Sequence, residues 1–216
     1  MKHKHTHYTY ASFALLLFVA LGYMVKFYPE ALTGFDSNIQ TWVRGGLPAG
    51  LTRFFKTITM LGNTPVQAII AIVAVILLYL RQYKAEAIFV GTSGVLASIM
   101  IMSLKYIYQR PRPSITHLVH AGGYSFPSGH SLGTFMILGA IAIVLTQRLV
   151  KKAAKTAVYG ITGLLIFLVG LSRIYVGVHY PTDVLAGFTL AFGLLNAIYP
   201  TYDRIRFEWR FQSKQK

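Results

Sequence analysis

Three short phrases in the second half of the chain carry the residues able to do chemistry: Lys105-x6-Arg112-Pro113, Pro127-Ser128-Gly129-His130, and Ser172-Arg173-x5-His179-x3-Asp183. Fixed cations and helix-start amides suit a phosphate dianion. Arg112 and Arg173 offer bidentate contact to its oxygens and Lys105 a point charge. Ser128 can cap a helix that begins at Gly129, and the glycine allows a close backbone approach to phosphate. Two histidines suit attack on phosphorus and protonation of the leaving oxygen. Asp183 lies one helical turn beyond His179, with Pro181 between them as a helix-initiating residue, so the carboxylate can hold one imidazole nitrogen and aim the other. Each phrase also has an ordinary structural reading: a capped turn, a helix-start aspartate beside a surface histidine, or cations snorkelling at span ends.

These groups must be positioned by membrane helices. Of 216 residues, 54% are hydrophobic and 12% charged, and mean hydropathy is +0.51. That is about half the charge of a soluble domain. There is no cysteine, so disulfides and thiolate metal sites are excluded. The net charge of +15 sits in short segments between apolar runs. This suits loops facing anionic lipid headgroups and argues against nucleic acid as a partner.

Six apolar stretches approach the ~20 residues needed to cross a hydrocarbon core. They run Tyr10–Val25, Thr64–Leu80, Ala85–Lys105, Gly129–Thr146, Thr156–Arg173 and Thr182–Tyr199. Pro65, Pro127 and Pro181 mark helix starts and Pro200 an end, leaving no span with a proline in its middle. The expectation is an all-α integral membrane bundle of six transmembrane helices forming a single domain over 1–216. Residues 1–9 and 200–216 are expected to be cytoplasmic tails, the second one basic. The first span lacks a small-x-small cleavage site and reads as an uncleaved helix. Between the first and second spans, Phe54, Phe55, Ile58 and Leu61 recur at helical spacing among Arg53, Lys56 and Thr57, which predicts one interfacial amphipathic helix. Alternating His3, His5 and His7 belong to the N-terminal tail, and no carboxylates accompany them as a metal site would need.

Cation counting orients the bundle. With the N-terminus inside, the inner segments hold Lys2, Lys4, Arg81, Lys84, Arg148, Lys151, Lys152, Lys155, Arg204, Arg206, Arg210, Lys214 and Lys216. Outside the three phrases, the outer segments hold only Lys26, Arg44, Arg53, Lys56 and Arg110. Both termini are therefore expected in the cytoplasm, and all three phrases on the extracytoplasmic side of the cell membrane.

The order and spacing of these phrases resemble the type-2 phosphatidic acid phosphatase superfamily, whose three-block signature is matched here without a gap or substitution. The resemblance spans residues 105–183. It implies a membrane phosphatase in which His179 forms a phosphohistidine and His130 serves as general acid, then as base. Asp183 would orient His179, while Lys105, Arg112, Ser128, Gly129 and Arg173 bind the phosphate, with no metal or other cofactor. The six-span organisation fits small bacterial members acting on undecaprenyl diphosphate or phosphatidylglycerophosphate. Arg110 lies outside the signature and reads as a headgroup contact. A lipid phosphotransferase would use the same residues with an alcohol as acceptor. A lipid or anion transporter is disfavoured, because nearly all charges lie at loops and span ends rather than at the midplane.

Overall fold

The computed structural model describes residues 4–215. It contains eight helices: α1 (Lys4–Phe27), α2 (Pro29–Arg44), α3 (Ala49–Met60), α4 (Thr64–Leu80), α5 (Lys84–Tyr108), α6 (Gly129–Thr146), α7 (Lys152–Tyr175) and α8 (Pro181–Phe211). Helices α1, α5, α6, α7 and α8 are each long and apolar enough to cross a membrane. Joined across a 49° bend, α3 and α4 make the sixth candidate span. Local chemistry sets the starts: prolines open α2, α4 and α8, and the Ser128 hydroxyl accepts the Ser131 N–H to cap α6. Gln109, in the left-handed region, ends α5.

Helices α6 and α8 form the enclosed centre, with α1 along α8, α7 and α5 beside α6, and α4 on α5. Their shared core includes Phe18, Phe89, Val90, Leu132, Met136, Ala186 and Leu190. The two central helices touch closely at Gly187, where a Cβ would lie 3.0 Å from the Ser128 carbonyl oxygen and the Ser131 Cβ. That approach brings the second and third phrases together. The Ser128 N–H donates to the Asp183 backbone oxygen at 3.0 Å.

Three sequence expectations need correction. The first span begins at Lys4, so residues 4–9 are helix rather than tail. His7 is held there, its Nδ1 2.8 Å from Asn196 Oδ1 and its ring 4.4 Å from that of Tyr199. Lys2, His3 and Lys216 lie outside the described residues. The last span does not stop at Pro200, which lies inside α8, and residues 200–211 continue the helix. An interior proline costs about 3 kcal/mol, but here tertiary partners oppose that cost. Tyr202 stacks on Phe89 at 4.2 Å, Arg206 donates to Gln147 at 2.7 Å, and Arg210 pairs with buried Glu86 at 3.2 Å. Arg148 closes on the same Glu86 at 2.7 Å.

The third correction concerns the first interhelical segment, which holds two helices instead of one. Gly45, at φ 49°, breaks the chain after α2 and Pro48 precedes α3. Leu32, Asp36, Ile39, Gln40 and Val43 of α2 face the protein at helical spacing, while Phe35 and Trp42 point outward.

Candidate active site

One end of the bundle gathers the C-termini of α5 and α7 with the N-termini of α4, α6 and α8. A cavity of about 760 Å³ opens there, lined at its polar end by Lys105, Arg112, Gly129, His130, Arg173 and His179. Away from these residues its walls are apolar, formed by α4 (Ala68, Ala71, Ile72, Val75) and α5 (Gly94, Val95, Ala97, Met102). All three phrases therefore contribute to one cavity.

His179 follows α7, in the short link to α8, and is 2% exposed. Its Nδ1 lies 3.3 Å from Asp183 Oδ2, and its Nε2 lies 3.4 Å from Arg112 Nη1. An Nδ1–H donated to the carboxylate leaves the Nε2 lone pair on the side of Arg112. Burial pushes the imidazole down to about 4, against the Asp183 hydrogen bond and charge, which raise it. Burial thus favours the neutral form of the ring. Asp183 is itself fully buried; its Oδ2 also accepts the Tyr180 N–H at 2.9 Å.

His130 sits in the first turn of α6 with its Nε2 3.0 Å from Asn63 Oδ1. Arg173 is 4% exposed, and its Nη1 donates to Thr59 Oγ1 at 2.7 Å. Its Nε has no hydrogen-bond partner among the described residues. A buried guanidinium N–H left open beside a cavity with two further cations is an unmet demand for an anion. Arg112 donates through its Nη1 to the Val178 carbonyl at 2.7 Å and through its Nη2 to that of Gly122 at 2.8 Å.

Two expected phosphate contacts have different neighbours. Ser128 is fully buried and does not line the cavity; its hydroxyl serves the α6 cap and accepts from Ser131 Oγ at 2.9 Å. Gly129 does line the cavity, and a Cβ on it would lie 3.2 Å from Ile101, so close packing against α5 also favours glycine there. Ser172 donates to the Val169 carbonyl within α7. Among the described residues, no group of three or more His, Cys, Asp or Glu side chains is arranged to hold a metal ion.

Sequence reasoning missed a second ring of polar residues. Arg110, read from the sequence as a headgroup contact, does not line this cavity: it is 8% exposed and bound to Asp183 Oδ1 at 2.7 Å and to Asp36 Oδ2 at 2.8 Å. Gln40 donates to the His179 carbonyl at 3.3 Å. Gln67 reaches the Gly62 carbonyl at 3.0 Å and Thr134 Oγ1 at 3.0 Å. The elbow between α3 and α4 thus supplies Thr59 to one cation and Asn63 to one histidine. One signal was available: the chain has six acidic residues, and Asp36 lies on the inward face of an amphipathic helix.

Comparison with known proteins gives the family and the fold. The family model of the PAP2 superfamily matches residues 86–207. The chain is 46% identical over 93 residues to phosphatidylglycerophosphatase B of Bacillus subtilis, covering 43% of this chain and 45% of that protein. It is 32% identical over 115 residues to undecaprenyl-diphosphatase BcrC of the same organism, covering 51% and 54%. The chain thus spans about half the length of each of these relatives. A crystal structure of a transmembrane PAP2-type phosphatidylglycerolphosphate phosphatase from Bacillus subtilis superposes with a TM-score of 0.83 at 27% identity, covering 90% of this chain and 96% of that one. With more than half of its length matched by the family model and its helices superposing on a solved member, the chain belongs to the PAP2 superfamily.

Proposed function

We propose that the protein is a membrane lipid phosphatase that transfers a phosphoryl group from a lipid phosphate or diphosphate to His179 and then to water. The observation that carries this reading is the composition of the cavity that the three phrases share. Its cationic, histidine-bearing end suits a phosphate, and its apolar walls between α4 and α5 suit the attached hydrocarbon.

In the first step the His179 Nε2 lone pair attacks phosphorus, a P–N bond forms, and the bond to the leaving oxygen breaks. His130 gives that oxygen a proton. Asp183 holds Nδ1–H and stabilises the charge gained by the ring. In the second step His130 takes a proton from water as its oxygen attacks phosphorus. The P–N bond breaks, releasing inorganic phosphate and neutral His179. Lys105, Arg112 and Arg173 stabilise the equatorial oxygens throughout, together with the α6 N-terminus at Gly129. A diphosphate leaves as the lipid monophosphate, and a monoester as the lipid alcohol. The charge distribution supports placing this site at the outer leaflet of the cell membrane, with both termini in the cytoplasm.

The reading is tested by phosphate release in detergent micelles from a panel containing undecaprenyl diphosphate, phosphatidylglycerophosphate and phosphatidic acid. Release with no added acceptor alcohol, persisting in excess EDTA, is expected. Products formed only when an alcohol is supplied would identify a transferase. Undecaprenyl diphosphate and phosphatidylglycerophosphate are the substrates expected to be turned over fastest.

The elbow gives a further expected result. A Cβ at Gly62 would fall 2.5 Å from His130 Cδ2, so Gly62→Ala must displace the imidazole. Turnover is expected to drop about 10²-fold, the usual scale for a catalytic group misplaced by about an ångström. Wild-type rates in the same phosphate-release assay would show that His130 needs no such placement.

A further inference from the structure

We propose that Asp36 and Arg110 are positioning residues of the phosphoryl-transfer site, acting through Asp183. The inference rests on the phosphatase reading above. Asp36 (2% exposed), Arg110 (8%) and Asp183 (0%) form a buried chain of charges outside the cavity, which neither Asp36 nor Arg110 lines. Arg110 therefore has no direct access to a phosphate bound among Lys105, Arg112 and Arg173.

Both terminal nitrogens of the fork are engaged. Arg110 Nη1 donates to Asp183 Oδ1 and to Thr182 Oγ1, both at 2.7 Å, and Nη2 donates to Asp36 Oδ2 at 2.8 Å. The guanidinium lies over the Tyr180 ring, 3.9 Å from its centroid. Asp36 in turn accepts the Thr182 N–H at 3.0 Å and its hydroxyl at 2.9 Å. The α2 helix thereby grips the first turn of α8 at Thr182, next to the carboxylate that meets His179. Asp183 gives one oxygen to Arg110 and the other to His179 Nδ1, so rotation of the carboxylate is blocked from both sides.

Charge matters as much as geometry. Arg110 alone would neutralise Asp183 and weaken its ability to stabilise the His179 imidazolium. Asp36 shares that guanidinium, and the three groups together keep one net negative charge beside the histidine. A clamp needed only to hold α2 against the bundle has no use for three buried charges, since apolar side chains of similar volume do that at lower desolvation cost.

The test is steady-state phosphate release by the full chain in micelles, using whichever panel lipid the wild type turns over. Asp36→Asn is expected to lower kcat about 10- to 100-fold with KM within about threefold of wild type, because orientation is lost while the phosphate-binding cations are untouched. In an Asp183→Asn background the same change is expected to cost less than about twofold, as groups acting through one another are not additive. An undiminished kcat for Asp36→Asn, or a full additive loss in the double variant, overturns the positioning role. Arg110→Lys provides a second arm independent of Asp36 folding effects. Its ammonium keeps the charge but cannot bridge Asp183, Thr182 and Asp36 in one plane, so kcat falls while KM holds. Wild-type kcat in Arg110→Lys also overturns the role. Turnover by the wild type, abolished in His179→Ala, separates failure of this inference from failure of the phosphatase reading.

Discussion

His179→Ala is expected to release no measurable phosphate from any lipid of the panel while remaining folded and membrane-inserted. The covalent step needs a neutral nitrogen lone pair beside the cations. Two other histidines, His120 and His130, line the cavity; among the described residues neither hydrogen-bonds a carboxylate, and the Nε2 of His130 is directed toward Asn63. Near-wild-type release by this variant would exclude a phosphohistidine at residue 179. Asp183→Asn keeps the shape of the site and is expected to cost about 10⁴ in kcat, the scale seen when a triad aspartate is neutralised.

The pH profile follows from the same pair. In the proposed mechanism His179 attacks only when neutral, and burial holds its pKa down at about 4. Activity governed by this group is therefore present above that value and is lost as pH falls through it. The Asp183 carboxylate opposes the depression, so Asp183→Asn is expected to move this acid limb of kcat/KM to still lower pH. Profiles of both proteins on one substrate allow the ionisations of that substrate to cancel. An acid limb near the ordinary imidazole value of about 6.5 would mean that the free enzyme does not bury His179 as the structure has it.

The second large effect is an all-or-none asymmetry in labelling. The chain has no cysteine, so single thiols report cleanly. A cysteine replacing Ser114 or Thr116, both exposed in the loop between α5 and α6, is expected to react with a membrane-impermeant maleimide added to intact cells. One replacing Thr156 or Ser213, exposed at the opposite end, is expected to react only after permeabilisation. The physical cause is the resistance of Lys- and Arg-rich segments to translocation, concentrated here in Arg148–Lys155 and the end of α8. The reverse pattern would place the cavity in the cytoplasm and remove outer-leaflet lipids from the substrate class. Equal labelling of both sets would mean that the count of spans is wrong.

Much of this was legible along the chain because the bilayer imposes simple rules. Long apolar runs must become helices, since unpaired backbone groups are not tolerated in hydrocarbon. The helices expected at Thr64–Leu80 and Gly129–Thr146 have those bounds in the structure. The reactive residues were legible because phosphoryl transfer demands particular types at short spacings: Asp183 one turn after His179, and Ser128 at the start of α6. The structure brings Lys105, Arg112, Gly129, His130, Arg173 and His179 to one cavity, and sets Asp183 and Ser128 behind its wall.

What only the tertiary structure decided depends on contacts between distant segments. Pro200 reads as a helix end by local rules, yet Phe89, Gln147 and Glu86 hold the helix onward to Phe211. No local pattern marks Thr59, Asn63 or Arg110 as site residues, and helical periodicity marks Asp36 only as inward-facing, for their partners lie between 67 and 146 positions away in the chain. Short-range periodicity carries information about faces and ends of helices. It carries none about which buried carboxylate meets which guanidinium, because that pairing is selected by the cost of leaving either charge alone once the helices have packed.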